Sequence, residues 1–206
     1  MSDHNWEAHY KLKPGDTFVE VGAFYGDDVA WAFSRLGRRG TAIFIEPNPS
    51  ACGIISTTIA ELGAYGNFKV VNNPAWRTVE PLDFYNFGGT TSIVAPVSER
   101  EARARFEKCR TEMQAVTIDS IVKTYSLGKI DLICMDVEGV EMDVLNGCAE
   151  SLGSRIIKNL SICVYHITGT EDVARGFLSK FGKWDFQVSG PPHLHVLHAN
   201  LLEEDK

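Results

Sequence analysis

The sequence predicts an α/β fold: a mostly parallel sheet with helices on both faces and an antiparallel strand pair at the C-terminal end. Three observations carry that prediction. Short apolar runs alternate with stretches of helical pattern from Thr17 to Phe181, the order that yields parallel strands joined by crossover helices. Several runs are apolar almost throughout, as strands buried on both faces are. Polar residues recur where the runs end, at Glu20, Glu46, Asn72, Asp136 and His166, and ligands of open parallel sheets bind at such carboxyl ends.

The elements follow in order. Lys13-Pro14-Gly15-Asp16 turns into a strand over Thr17 to Val21, and a helix is expected from about Asp27 to Leu36, with Asp27 and Asp28 at its positive end and Gly37 and Gly40 closing it. Thr41 to Glu46 forms a second strand. Pro47-Asn48-Pro49 stops it, Ser50 is placed to cap the next helix, and that helix reaches Leu62 before Gly63. Phe68 to Asn72 is a third strand. Residues 78–117 are less regular: Leu82 to Phe87 alternates like an edge strand, Gly88-Gly89-Thr90-Thr91-Ser92 reads as an exposed loop, and Arg100, Arg103, Arg105, Lys108 and Arg110 interleave with Glu99, Glu101 and Glu107 as on a solvated helix face. This segment is expected to be an insertion that recognises the acceptor, within one domain spanning 1–206. Alternation resumes with a helix over Ile118 to Tyr125, a strand over Ile130 to Asp136, a helix over Glu141 to Leu145 and a strand over Leu160 to Tyr165. A helix over Val173 to Phe181 follows, then strands over Trp184 to Val188 and Leu194 to His198 around Gly190-Pro191-Pro192.

Composition bounds the function. The 206 residues are 44% hydrophobic, enough for a sizeable core. No apolar run approaches the ~20 residues of a membrane span, and the N-terminus lacks the basic start and apolar core of a secretion signal, so a soluble, cytoplasmic protein is expected. Five widely spaced cysteines without a C-x-x-C pair argue against a disulfide framework or a cysteine zinc site. A formal charge of −7 argues against a sequence-independent grip on nucleic acid. Nothing in the sequence fixes an oligomeric state.

The turn Gly22-Ala23-Phe24-Tyr25-Gly26 sits between the strand ending near Glu20 and the first helix. Its glycines allow tight backbone bends and close approach to a ligand. The G-x-G-x-x-G spacing for pyrophosphate is absent, as is a Gly-Lys-Ser/Thr phosphate loop. Glu46, closing the next strand, is suited to accept hydrogen bonds from both hydroxyls of a ribose. A ribose without phosphates points to S-adenosylmethionine (SAM). The second dense constellation is Met135-Asp136-Val137-Glu138-Gly139-Val140-Glu141. Gly139 permits a turn that lets Asp136 and Glu138 face a ligand, while Glu141 reads as a carboxylate favouring a helix N-terminus.

Lys13-Pro14-Gly15-Asp16-Thr17-Phe18-Val19-Glu20-Val21-Gly22-Ala23, Ile45-Glu46-Pro47-Asn48-Pro49, Thr117-Ile118-Asp119-Ser120 and Asp136-Val137-Glu138-Gly139-Val140-Glu141, in this order, resemble the FkbM family of methyltransferases. The resemblance implies a class I, Rossmann-like fold, SAM as donor, and O-methylation of a small molecule, commonly a sugar or natural-product scaffold. It places Glu20, Gly22, Ala23, Phe24, Tyr25 and Gly26 on the methionine side, Glu46 with Pro47 at the ribose, and Asn73 to Ala75 near the adenine. Asp136 and Glu138 fall on its signature carboxylates. Two departures stand out: Met135 occupies a position where the family often has Lys, and His198-Ala199 stands where it often has Arg-His.

Methyl transfer to an aliphatic hydroxyl needs a place for the hydroxyl proton, which His166 or Asp136 would take, with Glu138 beside them. Asp136 and Glu138 alone lack a third metal ligand, so no metal is expected; His193, His195 and His198 read as decoration of an edge strand. Thr90, Thr91 and Ser92 suit an acceptor loop, and Trp6, Tyr10, Phe24, Tyr25 and Trp76 are candidates to cover the site. A metal-dependent hydrolase using Asp136 and Glu138, or a binding protein that holds the nucleoside without turnover, are the alternatives.

Overall fold

The structure is a computed structural model that describes residues 5–86, 91–93 (backbone only) and 109–203. Seven strands form the central sheet: β1 (Thr17–Val21), β2 (Thr41–Ile45), β3 (Phe68–Val71), β7 (Leu132–Met135), β8 (Asn159–Cys163), β9 (Trp184–Ser189) and β10 (Val196–Leu201). Their order is β3-β2-β1-β7-β8-β10-β9. The first five are parallel, and β10 runs antiparallel between β8 and β9. The chain order reverses between β1 and β7, so the carboxyl ends of these two strands flank the topological switch point.

The two faces are read off the period-2 alternation along the strands. Val19, Val21, Ile43, Ile45, Ile133 and Met135 turn one way and pack with α3 (Ile118–Thr124), α4 (Glu141–Asn146), α5 (Ala149–Gly153) and α6 (Thr170–Leu178). Phe18, Phe44, Leu132 and Cys134 turn the other way, onto α1 (Val29–Leu36), α2 (Pro49–Glu61) and the buried Trp6 and Leu12 of the N-terminal segment. The N-terminal segment thus contributes to the core of its face. Four of the five cysteines, Cys52, Cys134, Cys148 and Cys163, are buried and all five are free.

Residues 78–117 hold a separate three-stranded antiparallel sheet of β4 (Pro81–Asn86), β5 (Thr91–Ile93) and β6 (Arg110–Gln114) in the order β5-β4-β6. Residues 82–86 therefore lie in the central strand of a small sheet, where alternation alone reads as an edge, and Phe87 lies outside the described residues. Arg110 lies on β6, paired with Tyr85 and bonded to Asp83, and not on a helix; Arg100, Arg103, Arg105 and Lys108 lie outside the described residues. The second sheet departs from the carboxyl end of β3 and returns beside it: Trp76 N–H donates to the Val116 carbonyl and Asn73 Nδ2 to the Gln114 carbonyl.

Three details differ from the sequence expectation for local reasons. α2 is capped by Asn48, whose side chain accepts from Ser50 N–H, because Pro49 takes the first helical position. α1 begins at Val29, and the Asp28 carboxylate accepts from Trp6 Nε1 instead of capping the helix. His198 is on an interior strand, since β9 and not β10 forms the edge; its buried ring bridges Ser161 Oγ and Ser189 Oγ, and burial lowers its pKa to about 4. His193 lies in a short 3₁₀ turn, Pro192–Leu194, and His195 just after it.

Candidate active site

The carboxyl ends of β1, β2, β3, β7 and β8 share one rim because these strands are parallel neighbours. At the end of β1 the chain enters the glycine-spaced turn. Gly22 and Ala23 N–H both donate to the Ile45 carbonyl, which ties this turn to the end of β2. Gly22 has φ +83°, and a Cβ there would sit 1.9 Å from the Asp136 carbonyl oxygen. The glycine is required by the passage of β7's backbone. Gly26, at φ +77°, is similarly crowded by Ile55. Phe24 adopts a left-handed φ of 46° and presents an exposed ring edge-on to Tyr25.

Glu46 is the hinge between this turn and α2. Its Oε2 accepts from Phe24 N–H at 2.9 Å and its Oε1 from Asn48 N–H at 2.8 Å. Burial pushes its pKa up to about 7, and the two backbone bonds only partly offset that. Among the described residues it forms no ion pair. Pro47 is half-buried next to it, and Asn72 Nδ2 donates to the carbonyls of both Glu46 and Pro47. Asn73 has its amide on the second sheet, and Ala75 is buried in the core, bridged to Val116.

Glu20 points to the α1 side. The residue is 6% exposed; its carboxyl shares a hydrogen bond with Asp28, while the buried Oε2 has no partner among the described residues. Burial first, then the proximity of Asp28, Asp136 and Glu46, hold its pKa well above the carboxylate range. Trp6 seals the far side of this pair.

At the end of β7, Asp136 stands half-buried beside Cys163 and His166. Val137-Glu138-Gly139 then turns sharply, with Glu138 at φ 56° and Gly139 at φ 99°. A left-handed non-glycine residue is costly and concentrates at functional sites. His166, after β8, faces three carboxylates: Nε2 lies 3.3 Å from Asp136 Oδ1 and 3.5 Å from Glu138 Oε2, and Nδ1 lies 2.7 Å from Glu141 Oε1. Burial works against the charged imidazolium, but the Glu141 bond and the charges of Asp136 and Glu138 outweigh it, and the pKa rises. Burial likewise raises that of Glu138.

Oxygen and nitrogen atoms of Asp136, Glu141 and His166 lie within 4.8 Å of one another, a spacing that admits a small cation. The His166–Glu141 contact is nevertheless a hydrogen-bond length, shorter than the ~3 Å that separates two ligands on one ion with ~2.1 Å bonds. From its place in the sequence Glu141 reads as a helix-dipole carboxylate alone; its bond to His166, like the pairing of Asp28 with Glu20, joins residues that spacing along the chain does not connect. The cover residues separate: Phe24 and Tyr25 stand on the rim, Trp6 and Trp76 are buried, and Tyr10 donates to Asp16 at the amino end of β1, away from the rim. Thr90 lies outside the described residues, as do the side chains of Thr91 and Ser92.

With this geometry in view, a model of the FkbM methyltransferase domain matches residues 20–188. The structure is similar to that of an FkbM methyltransferase from Methylobacillus flagellatus KT, with a TM-score of 0.69 at 15% identity, covering 94% of this chain and 45% of that one. This chain thus spans under half the length of that relative. It is also similar to an rRNA methylase from Streptococcus thermophilus (TM-score 0.55, 11% identity, 93% and 90% covered) and to a SAM-dependent O-methyltransferase from Thermotoga maritima (0.51, 10%, 95% and 62%). At these identities the likeness establishes the fold. No curated protein matches the chain.

Proposed function

We propose, from the premise that this chain belongs to the FkbM methyltransferase family, that it is a SAM-dependent O-methyltransferase acting on a hydroxyl of a small molecule, a sugar or glycosylated metabolite. Family membership makes the chain a methyltransferase and sets aside the hydrolase reading. The observation that carries the donor in this reading is Glu46: a buried carboxylate at the end of β2, held by the amides of Phe24 and Asn48 beside the glycine-spaced turn.

The residues present fit the donor. A carboxylate clamped by two amides retains lone pairs for the 2′- and 3′-hydroxyls of a ribose. Glu20 Oε2 is a buried polar atom without a partner among the described residues, and the rim carries Glu20, Asp28, Glu46, Asp136 and Glu138. Such a concentration of carboxyl groups suits a ligand with a sulfonium and an ammonium better than one with phosphates. When bound, SAM supplies an electrophilic methyl group on sulfur. We assign Glu46 and Pro47 to the ribose, Glu20 and the turn Gly22, Ala23, Phe24, Tyr25 and Gly26 to the methionine end, and Asn73 to the adenine edge. Ala75 would act only through the core that supports Asn73. Asp136 faces the reacting centre from the strand across the switch point.

The protein's own part is alignment and proton transfer. Placing the acceptor oxygen in line with the methyl carbon and sulfur, with water excluded, supplies most of the acceleration. His166, whose Nε2 lies near Asp136 and Glu138, takes the hydroxyl proton. Residues 78–117, whose small sheet rises from the carboxyl end of β3, recognise the acceptor. The acidic balance of the chain favours neutral or cationic acceptors over RNA. No helix among the described residues is long and apolar enough to cross a membrane.

Incubation with methyl-labelled SAM and a panel of glycosides and polyols, alongside total RNA, tests this directly. Label in an alkali-stable ether on a small hydroxylated acceptor is expected. Label in RNA, with none in any alcohol, contradicts it.

A further inference from the structure

Glu141 is the one carboxylate of the rim that solvent does not reach at all, at 0% exposure. It opens α4, a helix of six residues, too short for its dipole alone to account for a fully buried acid. Its bonds give a better account. Oε1 accepts from Gly139 N–H at 3.1 Å and lies 2.7 Å from His166 Nδ1. The same oxygen therefore holds both the left-handed turn after Glu138 and the imidazole of the next strand's end. Gly139 itself leaves room for this arrangement, since a Cβ there would press against Ile167 and approach His166.

A carboxylate on Nδ1 fixes the neutral ring as the Nδ1–H tautomer, which leaves the lone pair on Nε2. Nε2 is the nitrogen that stands 3.3 Å from Asp136 and 3.5 Å from Glu138. We propose that Glu141 is a positioning residue: its buried carboxylate orients His166 so that the Nε2 lone pair faces the rim between Asp136 and Glu138, where an acceptor hydroxyl would give up its proton. This rests on the O-methyltransferase reading above. As the acceptor oxygen bonds to the methyl carbon, the methyl–sulfur bond would break with its electron pair left on the donor's sulfur, while the hydroxyl proton passes to Nε2 and returns to water from the imidazolium. Glu141 touches neither acceptor nor donor and acts through the ring.

The test uses the full chain, labelled with ¹⁵N, and two-bond ¹H–¹⁵N correlations of the histidine rings, with His166 assigned from His166→Gln. In the wild type, His166 is expected as the Nδ1–H tautomer at high pH. Glu141→Gln, which keeps shape and removes charge, is expected to lower the His166 midpoint by ~1 pH unit or more and to mix the tautomers, and Glu141→Asp to restore part of both. A purely structural Glu141 would move neither. An unchanged midpoint and tautomer in folded Glu141→Gln overturns the proposal, and should that variant fail to fold, an Nε2–H tautomer in the wild type overturns it equally. Titration of the wild type with S-adenosylhomocysteine (SAH) reads the donor pocket separately, so a failure there sinks the functional reading while the tautomer still decides the role of Glu141.

Discussion

Glu46 closes the gap between the glycine-spaced turn and α2, and in the proposed reading its carboxylate has a second task, offering its remaining lone pairs to the ribose. Its pKa, raised from 4.5 to about 7 by burial, makes the second task pH-dependent. Below that value the group is protonated and one oxygen becomes a donor, so it loses acceptor capacity. Above it the carboxylate is ionised and can accept from both ribose hydroxyls. If the ionised form alone binds, SAH affinity rises about tenfold between pH 6 and pH 8. Calorimetry across that range checks it; Glu46→Gln is expected to bind more weakly and with a flat profile in that range. An affinity that falls with rising pH would place the titrating group elsewhere. Glu46 was legible as a site candidate because an acid that ends an apolar strand adds nothing to the packing of a core. Its two amide partners were not, because they depend on how the turn folds back.

At the scale of elements, the sequence patterns divide into those that serve ligands and those that serve the fold. The glycine at position 22 looks, in sequence, like room for a ligand; in three dimensions the room belongs to the Asp136 carbonyl. Gly22→Ala is expected to destabilise the fold by at least ~2 kcal/mol, from steric overlap added to a left-handed φ. Gly15→Ala, at φ +94° with nothing within 4 Å, carries the backbone strain alone and should lose less. Denaturant unfolding of the two variants separates the terms, and equal losses would refute the crowding argument. The Thr117-Ile118-Asp119-Ser120 block is likewise structural. Thr117 and Ser120 form a reciprocal cap of α3, and Asp119 accepts from the backbone of Glu150 and Ser151 at the start of α5. A short capping signature is readable in sequence, but the helix α5 that Asp119 caps thirty residues later is not. The alternation of the central strands was readable for the opposite reason: period-2 burial is local. Residues 82–86 misled because alternation along a chain looks the same at the edge of a large sheet and at the centre of a small one, whereas here the oppositely facing Phe84 and Tyr85 are both buried.

For the whole molecule, the parallel order β3-β2-β1-β7-β8 collects polar residues from distant stretches of sequence onto one rim, and the switch point between β1 and β7 brings Gly22 against Asp136. That convergence followed from the strand–helix alternation, since the carboxyl ends of parallel strands share a side. The sheet continues through β10 and β9, and the buried His198 network ties β8, β10 and β9 to the carbonyl of Trp6, which fixes the N-terminal segment over the Glu20–Asp28 pair. This closure depends on the hydrogen bond from Ser161 to the Trp6 carbonyl, between residues 155 positions apart, and no periodicity announces it. Methyl transfer by the proposed route requires a donor pocket that exists before any acceptor binds. Calorimetric titration of the full chain with SAH is the most direct measurement of that pocket: a dissociation constant in the micromolar range or below, about −8 kcal/mol or stronger, is predicted, and no heat at millimolar SAH would contradict it.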